Sequence, residues 1–504
     1  MYCATDCSLS LSEKASCSSF QLRSTLNNTI PDHGTMISIF EDHAYHLLFG
    51  KPELACFIFG VTTHLILFRQ GEWDLSTVRL CCSYLGLFLV TLLGSFYVNV
   101  RDDGPTFLSS IIAGANACSL AIAHFLGVFG SMSIYRLFFH RLSSFPGPFW
   151  GRLTGFYMSH LTRRRWHRFE ETQRLHQKYG DFVRVGPQSL SITHPDATRA
   201  LYAANTICSK GPFYDMTQPR ETIFMTRSKK FHSKHRKDWD RAFSANALRD
   251  YEPHVTAYAQ KLVDTIGSHV GNPLDVTRWF NFFSFDLMGE LAFGESFGRL
   301  DAGQENTYMT VFHELMNLIG LLGSVPWLMH LVSKIPTTTG KEFQIYSRGL
   351  VEKRRKMPKD RRDIFSYLLD AYEKEPIKTE QLTETLYGDC DTIVVAGSDN
   401  TASSLAGVFY FLAKHPDHVE KLRAEFKTLP EGSSRFDARK LKDLPHLNAV
   451  INESARLLPA IASGVPRYTP VEGLRIGDKW IPGHVNVQVP SYTMFRGLAP
   501  EPKV

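Results

Sequence analysis

The segment Ala396-Gly397-Ser398-Asp399-Asn400-Thr401 sets an acid, an amide and two hydroxyls inside an otherwise apolar run, between Ile393-Val394-Val395 and Leu405–Leu412. Such side chains in an apolar surround can hold a water or pass a proton. A glycine and polar residues in mid-helix also weaken the i→i−4 ladder and tend to bend it, which would open a groove wide enough for a diatomic molecule and a water. A glycine needed for helix packing, with polar residues facing solvent, would give the same pattern. Glu453 and Arg456 stand at i and i+3 in Asn-Glu-Ser-Ala-Arg-Leu-Leu and so share a helix face. Their helix is apolar, follows Leu444-Pro445-His446-Leu447 and descends to Val465-Pro466-Arg467, so the pair is expected to be largely buried. In His232-Ser-Lys-His235-Arg236, both His232 and Arg236 can donate hydrogen bonds to a carboxylate. A zinc site at His232 and His235 is not expected, because no third ligand lies near them in sequence.

Gly294-Glu295-Ser296-Phe297-Gly298 fits the G-x-S-x-G pattern of a serine-hydrolase elbow, which needs a buried strand before it and a helix after it. Here Phe283, Leu287 and Leu291 recur at helical spacing, so Gly294 is predicted to cap a helix C-terminus. Hydrolysis by Ser296 stays open as an alternative. No P-loop, G-x-G-x-x-G or H-E-x-x-H motif occurs.

The elements that position these residues divide along the chain. Its 504 residues allow a large catalytic domain plus an appendage. A net charge of +6 without basic runs interleaved with aromatics excludes a nucleic-acid signature. Residues 1–53 form an N-terminal tail, and 54–143 a membrane anchor with two to three apolar spans at 54–68, 80–100 and 105–135. A buried core helix is the competing assignment for 54–68. Arg136, Arg141, Arg152 and the Arg163 cluster follow the last stretch, so the positive-inside tendency puts the remainder in the cytosol. Three spans would place the tail in the lumen and make Asn27-Asn28-Thr29 an available glycosylation sequon; two would leave it idle. Residues 144–150, Pro- and Gly-rich, read as a stiff hinge. From 151 to 504 the pattern is mainly α with small β-sheets, including strand-like alternation at Phe182–Val185 and Ser189–Ile192. The nine cysteines are dispersed and suggest no disulfide framework; Cys208 and Cys390 alone belong to this last part, neither in a glycine-rich loop.

From about Phe145 to Arg496 these motifs, in this order, resemble the cytochrome P-450 family of haem-thiolate monooxygenases, most closely the multi-span microsomal enzymes of filamentous fungi. Further matches are Lys210-Gly211-Pro212-Phe213-Tyr214, Phe285-Asp286-Leu287-Met288-Gly289 and Ile481-Pro482-Gly483. The resemblance implies the mainly helical P-450 fold, a haem b with its iron, and NADPH electrons delivered by a separate reductase at the endoplasmic reticulum membrane. It implies insertion of one atom of O₂ into a hydrophobic small molecule, with fungal secondary metabolism as the setting. By the same resemblance Ala396 and Gly397 lie over the haem, Asp399 with Asn400 and Thr401 serves proton delivery, and His232, Arg236 and Arg467 hold the propionates. Glu453 and Arg456 form the structural pair, while Val395, Ile461 and Ala462 border the substrate. The family has an alcohol where Asn400 stands; an amide can hold a water but has no hydroxyl proton to pass. The family's cysteine ligand lies beyond the E-x-x-R helix, and no cysteine follows Cys390. No metal ligand is therefore assigned, and the sequence is expected to be C-terminally incomplete, with a haem-poor, non-catalytic remnant as the alternative.

Overall fold

A computed structural model describes residues 51–218, 220–335, 338–358, 362–429 and 438–497. The sequon at Asn27 and the last residues, 498–504, lie outside them. The described residues fall into two compact units: one ends at Gly71 and resumes over Leu80–Ile134, and the other comprises Glu72–Arg79 and everything from Tyr135. The second unit thus takes in 72–79 and 135–143, which the sequence pattern had grouped with the anchor.

The first unit is built from α1 (Lys51–Thr63, continued by a π-helical turn over His64–Phe68), α2 (Thr77–Asp103) and α3 (Phe107–Ile134). The stretches Lys51–Phe68, Asp74–Arg101 and Phe107–Phe139 are long and apolar enough to cross a membrane. Their large side chains point outward, Val90, Leu93 and Ile66 among them, and the first stretch is mostly open, unlike a core helix. Gly60 and Gly127 let α1 and α3 approach closely: a Cβ on Gly60 would collide with the His124 carbonyl, and one on Gly127 with that of Phe57. Small residues at such crossings are how helices pack where no water drives them together.

In the second unit, β1 (Phe182–Gly186) and β2 (Ser189–Ile192) pair antiparallel, as their alternation predicts. β3 (Arg467–Tyr468) and β6 (Asn486–Gln488) complete a four-stranded sheet of order β1-β2-β6-β3, with β2 and β6 parallel. β4 (Leu474–Ile476) and β5 (Lys479–Ile481) form a separate hairpin. The Pro/Gly hinge is packed on β1: the Pro146 carbonyl accepts from the Arg184 N–H at 2.7 Å, and Gly147 has no room for a Cβ against the Arg184 backbone.

The helices that carry the site have local reasons to start and stop. Helix α4 (Lys229–Ala242) begins at Ser228, whose hydroxyl accepts the Phe231 N–H. Helix α5 (Val276–Phe293) is capped by Asp275 and ends at Gly294 with φ of 75°. Its Phe280, Phe282 and Phe285 are fully buried in the main core. Helix α6 (Glu380–Lys414) starts at Thr379 and packs along α5. Helices α7 (Pro445–Leu457) and α8 (Ser491–Arg496) close the described chain.

Candidate functional site

A cavity of about 380 Å³ opens where α4, β3 and the segment 210–224 meet the middle of α6. His232 and Arg236, one helical turn apart, face it from α4, and Arg467 faces it from β3. Lys210, Tyr214 and Phe224 come from the connecting segment, and Thr392 from α6. Arg467 is held by its own surroundings: its guanidinium donates to the Tyr214 hydroxyl at 3.2 Å and lies 5.0 Å from the Tyr202 ring. Lys210 donates to the Ile223 carbonyl at 3.0 Å.

The charges on this wall are unbalanced. Asp240 is the one carboxylate among the lining residues, and it is engaged with Arg236 at 2.6 Å. Burial and the Arg467 charge push the Lys210 ammonium down to about 8. Burial, then the charges of Lys210 and Arg236, push the His232 imidazole below its ordinary range. Positive charge gathered on one wall with its single lining carboxylate already engaged suits an anion.

A second charged group lies near α6 and is balanced. The Asp389 carboxylate, fully buried, bonds His235 of α4 and accepts the Ile223 N–H. Arg220 meets Glu384 at 2.8 Å and Asp391 at 3.1 Å, and Arg348 reaches Glu384 at 2.5 Å. Burial lifts Asp389; it also tends to lower His235, but the bond and charge of Asp389 outweigh that and lift the imidazole.

Several expectations need correction. The hexapeptide 396–401 does not line this cavity, and α6 runs as an uninterrupted α-helix through it. Gly397 faces Met288 of α5, whose sulfur occupies the place of a Cβ. Helix packing therefore accounts for that glycine. Asn400 returns its amide to the Ala396 carbonyl at 3.1 Å, which keeps the ladder closed. Asp399 and Thr401 are exposed. Val395, Ile461 and Ala462 lie outside the cavity lining, and Ile461 is exposed; Val465 and Thr392 line it instead. Glu453 and Arg456 do form a two-pronged pair, 2.7 Å at each prong, and Arg456 also donates to the Phe495 carbonyl. They are exposed, against the expected burial, and α8 meets the pair through the Phe495 carbonyl. Ser296 follows a helix end, with its oxygen accepting the Gly298 N–H, so the strand-turn-helix elbow a serine hydrolase needs is absent there.

Lys210, Tyr214 and Thr392 were not singled out for the site. Lys210 and Tyr214 had a signal, the Lys-Gly-Pro-Phe-Tyr run, but nothing in that run says which of its side chains turn inward. Neither Cys208 nor Cys390 lines the cavity, and burial pushes both thiols up, Cys390 far up.

Comparison with known proteins gives the family. Residues 146–499 match the sequence profile of cytochrome P450. The chain is 40% identical over 442 residues to the cytochrome P450 monooxygenase FCK2 of Fusarium pseudograminearum, covering 87% of this chain and 80% of that protein. It is 35% identical over 450 residues to the tryprostatin B 6-hydroxylase of Aspergillus fumigatus, covering 88% and 80%. The cytochrome P450 monooxygenase orf5 of Eupenicillium brefeldianum is 39% identical over 400 residues, covering 79% of each chain. The chain belongs to the cytochrome P450 family and is a haem-dependent monooxygenase of that family.

Proposed function

We propose that the protein is a membrane-anchored monooxygenase that hydroxylates a hydrophobic small molecule in fungal secondary metabolism, with NADPH electrons supplied by a separate reductase. The observation that carries this reading is the cavity wall of Lys210, Arg236 and Arg467, three cations brought together beside the neutral His232 imidazole, with a single carboxylate among the lining residues that is already taken by Arg236. A haem presents two carboxylates, and these donors suit them: Arg467 and Arg236 as charge-assisted donors, His232 through a ring N–H, Lys210 as a buried point charge. When bound, the haem supplies the oxidising chemistry, and the chain's task is to hold, orient and tune it. Asp399 serves proton delivery in this reading by the family resemblance, its carboxylate lying exposed on α6. Asn400, with its amide turned to the Ala396 carbonyl, adds no transferable proton.

Three apolar helices long enough to span a bilayer support membrane anchoring, and a relative named as a hydroxylase of tryprostatin B supports a small-molecule substrate. The test is a haemin titration of the full chain in lipid nanodiscs, followed by Soret absorbance. Saturable binding weakened about tenfold in Arg467→Ala is expected, one tenfold step being 1.4 kcal/mol, within the range of a charge-assisted hydrogen bond. Haemin uptake indifferent to Arg467 and Lys210 together would overturn the assignment of this wall.

A further inference from the structure

Glu72–Arg79 lies in sequence between the first two apolar stretches, yet it packs as part of the unit that contains the cavity. One carboxylate fastens it there. Glu72 grips Arg227 with both oxygens, at 2.7 and 3.0 Å. Arg227 in turn bonds Asp215 at 2.6 Å and, through Nε, the carbonyl of Lys210 at 3.0 Å. Its guanidinium also lies 5.7 Å from the Tyr468 ring. Lys210 is a cavity cation, and Tyr468 adjoins another, Arg467. Burial alone would raise the Glu72 carboxyl, but the bond and charge of Arg227 outweigh it and hold it low. The membrane-proximal carboxylate is thus one side chain removed from the cavity wall.

We propose that Glu72 is a positioning residue of the cavity: through Arg227, which bonds the Lys210 carbonyl and lies over the Tyr468 ring, the loop between the first two apolar stretches holds Lys210 and Arg467 in the attitude that receives an anionic cofactor. The identity of that cofactor rests on the haem reading above; the strut itself does not. A guanidinium shared between two carboxylates is fixed by both, because rotating it away strands half-buried charge. Asp215 alone would keep Arg227 charged but would leave its second prong without Glu72.

The test is a double-mutant cycle of Glu72→Ala and Arg227→Ala in the full chain in nanodiscs. Amide exchange over 72–79 and 206–218 is read on the same samples as titrations with haemin and with haemin dimethyl ester. Glu72→Ala is expected to speed exchange in both segments about tenfold and to weaken haemin several-fold, with little further change once Arg227 is gone. The uncharged diester should lose much less, since the strut acts on the cations. Equal losses for haemin and diester would reduce Glu72 to general stabilisation and overturn the positioning role. Unchanged exchange over 206–218 in Glu72→Ala, or additive effects of the two substitutions, would overturn the strut. If the wild-type chain takes up no haemin, the haem reading fails, and the exchange data alone still decide the strut. Glu72→Gln, which keeps the shape and removes the charge, gives the same comparison if the alanine variant expresses poorly.

Discussion

Helix α4 serves two charged groups of opposite design. On one side His235 meets Asp389, joined nearby by Arg220, Arg348, Glu384 and Asp391, so that cations and carboxylates offset each other. On the other side His232 and Arg236 join Lys210 and Arg467, with Asp240 the only carboxylate. The first arrangement fastens α4 to α6 through His235 and Asp389. The second gathers positive charge that an anion would offset. Charge imbalance, more than charge density, separates a binding wall from a structural clamp.

The largest expected effect comes from breaking the balanced group. His235→Ala leaves Asp389 buried without its partner and should cost about 3–5 kcal/mol of stability, with haemin affinity nearly unchanged. Loss of haemin binding at unchanged stability would reverse the comparison. The pair also sets a pH dependence. His235 is lifted above its ordinary 6.5, so its contribution is complete below that value and is lost as pH rises through the lifted one. The raised Asp389 carboxyl works in the same direction. A thermal midpoint that falls as pH rises above 6.5 is expected in the wild type, and His235→Ala should shift the fall to the range in which Asp389, raised further without the imidazole, loses its proton.

Next in size is the contact that fixes α6 between the two groups. Gly397→Ala would drive a methyl into Met288 and should cost about 1–3 kcal/mol, much of it recovered by adding Met288→Ala. Equal stability of Gly397→Ala and wild type in thermal unfolding would show that the glycine has another purpose.

Removing a cation from the unbalanced wall should act on binding instead. Lys210→Met is expected to weaken haemin about tenfold at pH 7 while leaving the unliganded protein no less stable. In the wild type an anion raises the depressed ammonium, so bound protein holds more protons and affinity falls as pH rises above about 8. That slope should vanish in Lys210→Met when titrations are repeated at pH 7 and 9.

The smallest effect belongs to Glu453→Gln. The pair is exposed, so breaking it should cost about 1 kcal/mol or less, measured by thermal unfolding. A loss several times larger would mean that the face is covered in the working protein.

Much of the fold was legible because it depends on near neighbours. The strands at Phe182 and Ser189 follow from alternation, the helix end at Gly294 from a glycine after a helical stripe, and the Glu453–Arg456 contact from i,i+3 spacing. Spacing says which side chains share a face and nothing about what covers it. For that reason the burial of Glu453 and Arg456 was misjudged, and the polar run on α6 suggested a groove where Met288 fills the space. His232, Arg236 and Arg467 could be named as site residues, whereas Lys210, Tyr214 and Thr392 reach the same cavity from segments with no local mark of it.

By itself the sequence determined the family, the order of apolar stretches and helical domain, and the cations available to an anion, because these depend on residue type and local spacing. Only the tertiary structure decided which histidine of α4 is neutralised and which faces the cavity. It also decided that Gly397 faces Met288 and that Glu72 pairs with Arg227. Each of these depends on a contact between segments far apart in the chain, formed by burial and charge pairing that no local pattern encodes.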